Sequence, residues 1–180
     1  MRSRMNAARP ALRAAGVVAG VAAGVIGGVA PSASAFDASV NGTYTATLVG
    51  QWAQWNDVYH QQPMMRNTWK ISTSCETAMD CTGQVISDGG WTARVYMRDG
   101  SNWTMKRDIP NWARCPDGRT FTGRQVIVFY AVDPMTGEHK LGAASSPIYS
   151  GWDNTTSSSG ACNTNQPIVI RQPFRLDRIS

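Results

Sequence analysis

Short runs in which apolar and polar residues alternate, separated by turn residues, constrain the fold of this chain more than any other feature. Such alternation turns one face of a strand toward a core and the other toward water. The runs occupy residues 43–49, 68–74, 91–97, 102–108, 124–132 and 168–176. Residues 51–59 fit a helical stripe and a bent strand equally well, and no other segment favours an amphipathic helix. The pattern therefore predicts an all-β protein.

Turn sequences between the runs indicate how the strands connect. The strongest hairpin signal is Arg98-Asp99-Gly100-Ser101, which lies between two strands that carry tryptophan. Sequential hairpins predict an antiparallel meander, and closing a meander into a barrel removes its unpaired edges. We therefore favour a closed or nearly closed up-and-down barrel of about eight strands. A two-sheet sandwich is the alternative.

Residues 1–35 have the features of a cleavable signal peptide. Four arginines precede an uncharged stretch at 14–30 that is rich in Ala, Val and Gly, and Ala33-Ser34-Ala35 matches a signal peptidase site. Cleavage before Phe36 would leave residues 36–180 as a single secreted domain without a membrane span. The alternative is a retained transmembrane helix, which is disfavoured because the apolar run is Gly-rich and just under the usual spanning length.

The basic excess of the chain belongs to this leader. The full sequence has 17 basic and 12 acidic residues, and four of the basic residues lie before position 36. Residues 36–180 therefore hold 13 basic and 12 acidic residues, a net charge of +1. Binding along a phosphate backbone requires clustered lysine and arginine. The sequence thus predicts no nucleic-acid partner.

Four cysteines in an exported chain predict disulfides, since oxidation is the default outside the cytoplasm. Three pairings are possible, and we favour Cys75–Cys81 and Cys115–Cys162. The first pair brackets a short hairpin loop, and the second ties the turn at 115–118 to the Ser/Gly/Asn-rich stretch 150–165. The cysteine spacings do not match a structural zinc site. We expect no metal and no cofactor.

The residue sets of common enzymes are missing from the sequence. It contains no Gly-x-Ser-x-Gly elbow, no Cys-x-x-Cys pair, and only two histidines, His60 and His139. Four of the ten aspartates, Asp88, Asp99, Asp117 and Asp133, stand beside Gly or Pro, where they stabilise turns. The absence of these residue sets favours a non-enzymatic protein and leaves an enzyme as the alternative. The enzymatic alternative is a small secreted hydrolase that uses His60 with Asp57 or Asp108.

Tryptophan is the residue type that carries a functional implication. Trp69, Trp91 and Trp103 lie on predicted inward faces and are assigned to the core. Aromatic residues outside the regular runs are suited to stack on a ligand at a barrel mouth, and their alternative role is to anchor loops. With nearby polar residues, the predicted ligand-binding set is Trp52, Trp55, Tyr59, His60, Arg107, Trp112 and Arg114.

Several strings resemble a group of small exported proteins of unknown function from mycobacteria and related actinobacteria. The resembling strings are Gly42-Thr43-Tyr44-Thr45, Trp52 with Asn56 and Val58-Tyr59-His60, Cys81-Thr82-Gly83-Gln84-Val85 with Asp88-Gly89-Gly90-Trp91, Lys106-Arg107-Asp108-Ile109-Pro110-Asn111-Trp112 with Cys115-Pro116-Asp117-Gly118, and Pro173-Phe174-Arg175-Leu176-Asp177. The resemblance implies an extracellular or cell-envelope setting. It supplies no catalytic residues.

Taken together, the sequence favours an exported, non-enzymatic binding or cell-envelope interaction module. The classes of partner that fit this setting are a cell-envelope glycan, lipid or protein. The second alternative, beside the hydrolase, is a structural envelope protein without a small ligand. An open apolar cavity of several hundred Å3 would favour the binding module, and a barrel filled by side chains would favour the structural protein.

Overall fold

The computed structural model describes residues 37–141 and 144–179; the predicted leader and its cleavage site at Phe36 lie outside these ranges. The described residues form ten strands and two short 3-10 turns, Gly50–Trp52 and Ala161–Asn163. The strands are β1 Gly42–Leu48, β2 Gln54–Trp55, β3 Val58–Tyr59, β4 Met65–Thr77, β5 Asp80–Ser87, β6 Trp91–Met97, β7 Trp103–Arg114, β8 Thr120–Ala131, β9 Ile148–Ser157 and β10 Val169–Arg178.

Eight of these strands close into an antiparallel barrel. The order around the barrel is β1-β4-β5-β6-β7-β8-β9-β10, and β10 pairs back with β1 from Tyr44↔Arg178 to Leu48↔Phe174. Each strand of the barrel lies beside its neighbour in sequence, apart from the β2–β3 hairpin, which attaches to β10. The prediction of a closed up-and-down barrel is confirmed. The two-sheet sandwich is not the architecture of the described residues.

Much of the barrel interior is filled by the inward residues of the alternating pattern. Trp69 and Trp103 are buried there as predicted, and Trp91 is half-buried. The rings of Phe129, Phe174 and Tyr149 pack in tilted or edge-to-face geometry, with centroids 5.8 to 5.9 Å apart in the Phe129–Tyr149 and Phe129–Phe174 pairs. Burial of this aromatic set supplies much of the hydrophobic stabilisation of so small a barrel.

One end of the barrel, called the closed end here, is covered by the segment before β1. Ala38 and Val40 of this segment belong to the core cluster, and Val40 exchanges two hydrogen bonds with the side chain of Thr73 (2.7 and 3.1 Å). The space left between Met97, Trp103 and their neighbours at this end is about 10 Å3. That is room for one water molecule at most, so the closed end is packed.

The turns of the β6–β7 and β2–β3 hairpins decide two predictions made from the sequence. Asp99 accepts hydrogen bonds from the backbone N–H of Ser101 and Asn102 (2.9 and 2.7 Å), which forms the predicted β6–β7 hairpin. The ambiguous stretch 51–59 is neither a helix nor a single bent strand. It contains the β2–β3 hairpin, whose two central residues Asn56 and Asp57 both have positive φ (47° and 65°), as a type I′ turn requires.

Both disulfides pair as predicted and lie at opposite ends of the barrel. Cys75 and Cys81 face each other across β4 and β5 near the closed end, with Cα atoms 3.9 Å apart. Cys115 and Cys162 join the β7–β8 turn to the β9–β10 connection, with Cα atoms 5.1 Å apart. The second bridge therefore ties together two connections at the other end of the barrel, called the open end here.

Candidate functional site

A cavity of about 450 Å3 enters the barrel at the open end. Its volume lies in the range of small-molecule sites. Strands β7, β8, β9 and β10 contribute the floor, and the turns around β1, β2 and β4 contribute the opposite wall. Three larger depressions, of about 600, 670 and 710 Å3, lie on the outer face of the barrel, where strands present their water-facing side chains. The cavity at the open end reaches the buried side chains of Gln125, Asp153, Thr155 and Gln172.

The floor of the cavity is a row of five polar side chains, which we call the polar belt: Arg107, Gln125, Asp153, Thr155 and Gln172. The strand register brings them together, because Arg107 pairs with Gln125, Gln125 with Thr155, and Asp153 with Gln172. All five side chains occupy inward positions of their strands. The belt therefore crosses four neighbouring strands between the aromatic core and the open end.

Asp153 is the most deeply buried member of the belt, with 1% of its surface exposed. Its carboxylate accepts hydrogen bonds from Thr155 Oγ1 (3.2 Å) and Gln172 Nε2 (3.0 Å). Burial raises the pKa of Asp153, whereas hydrogen bonds from Gln172, Gln125 and Thr155 and the charge of Arg107 oppose the rise. The carboxylate therefore lies at the cavity floor with its oxygens covered by protein donors.

Arg107 is the half-buried cation of the belt. Its Nε donates to Gln125 Oε1 (2.6 Å), and its guanidinium carbon lies 3.9 Å from the centroid of the Trp91 ring. Stacking on an aromatic face and one fixed hydrogen bond hold the guanidinium plane in place. Burial lowers the pKa of Arg107, and the charge of Asp153 partly offsets this. Arginine stays protonated at any physiological pH.

The remaining cavity wall is mostly apolar, and its polar members Gln62 and Asn111 are hydrogen-bonded to His60 and Thr120. Its large apolar members are Leu48, Trp55, Met65, Ile109, Trp112, Ile168 and Ile170. Trp112 lies within the register shift between Ile109 and Ala113 of β7 and packs edge-to-face on Phe121, with ring centroids 5.7 Å apart. Its indole also lies over Gly123, where a Cβ atom would collide with the ring. The glycine therefore lets the indole lie against β8 at the edge of the cavity.

The structure brings three of the seven predicted ligand-binding residues to the cavity: Trp55, Arg107 and Trp112. The other four do not line it. Trp52 and Tyr59 are 64% and 62% exposed, and His60 and Arg114 are also exposed. Trp55 and His60 are linked by a tilted ring contact with centroids 5.4 Å apart, so His60 supports a wall residue from outside.

Sequence reasoning missed four belt residues: Gln125, Asp153, Thr155 and Gln172. Each lies at an inward position of a strand, where a polar residue is unusual because its burial requires hydrogen-bond partners. In β9 the five inward positions are buried from Tyr149 to Ser157 although three of them are polar. The period-2 position of Asp153 relative to Tyr149 is the signal that would have identified it.

The described residues do not assemble the predicted hydrolase site. The side-chain hydrogen bonds of His60 go to Gln61 O and Gln62 Nε2, and Asp108 pairs with Arg124, so no described bond joins His60 to Asp57 or Asp108. His139 Nε2 lies 2.9 Å from Ser101 Oγ, but both are exposed, and within the described ranges no carboxylate orients the ring. Over the same ranges, no cluster of three potential metal ligands is found.

Residues 37–141 and 144–179 contain no helix that is long and apolar enough to span a membrane.

The fold and the cavity define a closed eight-stranded antiparallel barrel with one packed end and one open end. No family model and no curated protein matches the sequence. Among solved structures, the chain is similar to one described as the monomer form of the M. tuberculosis PknI sensor domain. The TM-score is 0.53 at 18% identity, over 78% of this chain and 88% of that chain. At this level of identity, the comparison shows that the two folds are similar and nothing more.

Proposed function

We propose that residues 36–180 are an exported, non-enzymatic binding module that holds a small ligand in the cavity at the open end of the barrel. The observation that carries the proposal is the polar belt beneath an apolar wall. A few fixed polar groups inside an apolar concavity are the usual composition of a ligand site. The similar fold of a domain described as a sensor agrees with a binding role.

The energetic cost of the polar belt supports a functional origin. A buried carboxyl group such as that of Asp153 destabilises a fold relative to a well-packed apolar side chain, even when hydrogen bonds compensate it in part. Such departures from a purely stabilising choice concentrate at functional sites. A structural envelope protein without a ligand would be served by apolar residues at these positions. The binding module therefore explains the belt better than the structural alternative.

The cavity wall provides the first test. Purified protein with both disulfides formed is titrated with the neutral fluorescent probe N-phenyl-1-naphthylamine, whose emission rises in apolar surroundings. Replacing Trp55 and Trp112 together with alanine is expected to weaken binding by about tenfold or more, because two large apolar contact surfaces are lost. The measurement is the dissociation constant obtained from the emission titration, with far-UV circular dichroism to verify folding.

The matched control is Trp152→Ala. Trp152 lies on the outer face of β9, where Arg171 stacks on it at 4.2 Å, and it does not contribute to the cavity. Its removal should leave the dissociation constant unchanged. If the wild-type protein does not bind the probe, or if the control weakens binding as much as the double variant does, the proposal of a binding cavity is wrong.

Export is the second part of the proposal. The leader at 1–35 and the two disulfides support it, because disulfides persist in oxidising compartments. Intact-mass analysis of the protein from its native host should give a chain that begins at Phe36 and is four hydrogens lighter than its reduced form. A chain that retains residues 1–35 and four free thiols would contradict export.

A further inference from the structure

Building on the proposed function, we propose that the cavity binds an amphipathic carboxylic acid, whose carboxylate lies on the terminal nitrogens of Arg107 and whose apolar body lies along the cavity wall. The ligand class follows from which belt groups face the cavity, the sign of their charge, and the composition of the wall above them.

Arg107 is the charged group that remains available to a ligand. Its Nε is engaged by Gln125 and one face is covered by Trp91, but among the described residues no hydrogen bond or ion pair engages Nη1 or Nη2. A guanidinium held in this way presents a pair of parallel N–H donors, which match the two oxygens of a carboxylate. Because stacking and Gln125 already fix the side chain, little conformational entropy is lost when a ligand binds.

Asp153 is poorly placed to bind a cationic ligand. With 1% of its surface exposed and its oxygens hydrogen-bonded to Thr155 and Gln172, the carboxylate presents almost no surface to a cationic ligand. Arg107 supplies one positive charge to the cavity, so a doubly charged phosphate ester would be less well compensated there than a singly charged carboxylate.

The wall above Arg107 sets the nature of the rest of the ligand. Leu48, Trp55, Ile109 and Ile170 offer aliphatic and aromatic surface and no charge. Sugar hydroxyl groups would find no hydrogen-bond partners on the side chains of Leu48, Ile109 and Ile170, whereas an alkyl chain or aromatic ring gains there from leaving water. Among the envelope partners that the sequence allows, these contacts favour a lipid-like acid.

The test is a competition assay with four twelve-carbon probes that differ in head group: dodecanoate, 1-dodecanol, dodecylamine and dodecyl phosphate. Each displaces N-phenyl-1-naphthylamine from the wild-type protein at pH 7.5, below its micellar concentration. Dodecanoate is expected to bind about tenfold or more tightly than dodecanol, the size of one charge-assisted contact. Dodecylamine and dodecyl phosphate should both bind more weakly than dodecanoate.

Variants of Arg107 test whether this residue causes the preference for a carboxylate head group. In Arg107→Gln the ratio of dodecanoate to dodecanol affinity should fall to about one, and in Arg107→Lys it should fall to an intermediate value because the charge stays but the paired donors are lost. The matched control is Arg94→Gln, since Arg94 is exposed on the outer face of β6. This control should keep the wild-type ratio.

The possible results separate the two proposals. Failure of the wild-type protein to bind N-phenyl-1-naphthylamine would overturn the binding cavity itself. If the naphthylamine binds but dodecanol or dodecylamine equals dodecanoate, the cavity stands and the carboxylate inference is overturned. Tighter binding of dodecyl phosphate would overturn the preference for a single charge. An unchanged ratio in Arg107→Gln, or in Arg107→Lys should the glutamine variant not fold, would exclude Arg107 as the contact.

Discussion

Replacing Gly151 with alanine is expected to lower the free energy of unfolding by about 3 kcal/mol or more. Gly151 faces the barrel interior on β9, opposite Phe129 of β8 and Phe174 of β10. A Cβ atom at this position would collide with the carbonyl oxygen of Val128 and the Cα of Phe129, which are backbone atoms of the neighbouring strand. Backbone of a closed barrel cannot yield as the end of a flexible side chain can, so the overlap must be relieved by moving β8 or β9.

Urea unfolding followed by tryptophan emission gives the required free energy for the wild type and the variant. The matched control is Ser150→Ala, which changes the adjacent residue of the same strand without adding volume to the barrel interior. We expect this control to stay within about 0.5 kcal/mol of the wild type. A loss below about 1 kcal/mol in Gly151→Ala would mean that β8 and β9 separate easily, contrary to the close approach in the structure.

The architecture was predictable because its main signal is local. Alternation in 91–97 defines β6 with the bounds found in the structure, and the Asp99-Gly100 turn fixes the hairpin to β7. Sequential antiparallel hairpins then leave few arrangements, and closure between the first and last strands follows from the need to cover two edges. For such a meander, local patterns and the global fold agree.

Strand β9 was not assigned from the sequence, and its composition explains why. Three of its inward residues, Asp153, Thr155 and Ser157, are polar, so the alternation of apolar residues stops after Tyr149. The strand forms because its backbone pairs with both β8 and β10, and because belt partners satisfy the buried carboxylate. Because the candidate site places polar residues inside the barrel, β9 lacks the apolar alternation by which a strand is recognised in a sequence.

The candidate site was predictable only in part for a related reason. Arg107 and Trp112 were identified as a cation and an aromatic near one another in the sequence. Their relation to Asp153 and Gln172 depends on the register of four strands, which single-sequence patterns do not provide. Trp52 and Tyr59 were included because they are aromatic, but Trp52 lies at the end of the first 3-10 turn and Tyr59 lies in β3, and both side chains face solvent.

Replacing Cys115 and Cys162 together with alanine is expected to lower the free energy of unfolding by about 4 kcal/mol. The bridge closes a loop with a sequence separation of 47, and its removal returns the corresponding conformational freedom to the unfolded chain. Urea unfolding under non-reducing conditions measures the change. The same variant should also weaken the binding of N-phenyl-1-naphthylamine, because the bridge holds the β7–β8 turn, just beyond Trp112, against the β9–β10 connection.

The second disulfide provides the control that separates stability from binding. Replacing Cys75 and Cys81 with alanine removes a bridge with a sequence separation of 6 near the closed end, and the expected loss is about 2 kcal/mol. Since the closed end is packed and distant from the cavity wall, probe affinity should stay at the wild-type value in urea-free buffer. Equal weakening of probe binding in both double variants would show that affinity follows overall stability. Weakening confined to the Cys115 and Cys162 variant would show that this bridge maintains the shape of the cavity, in addition to stabilising the barrel.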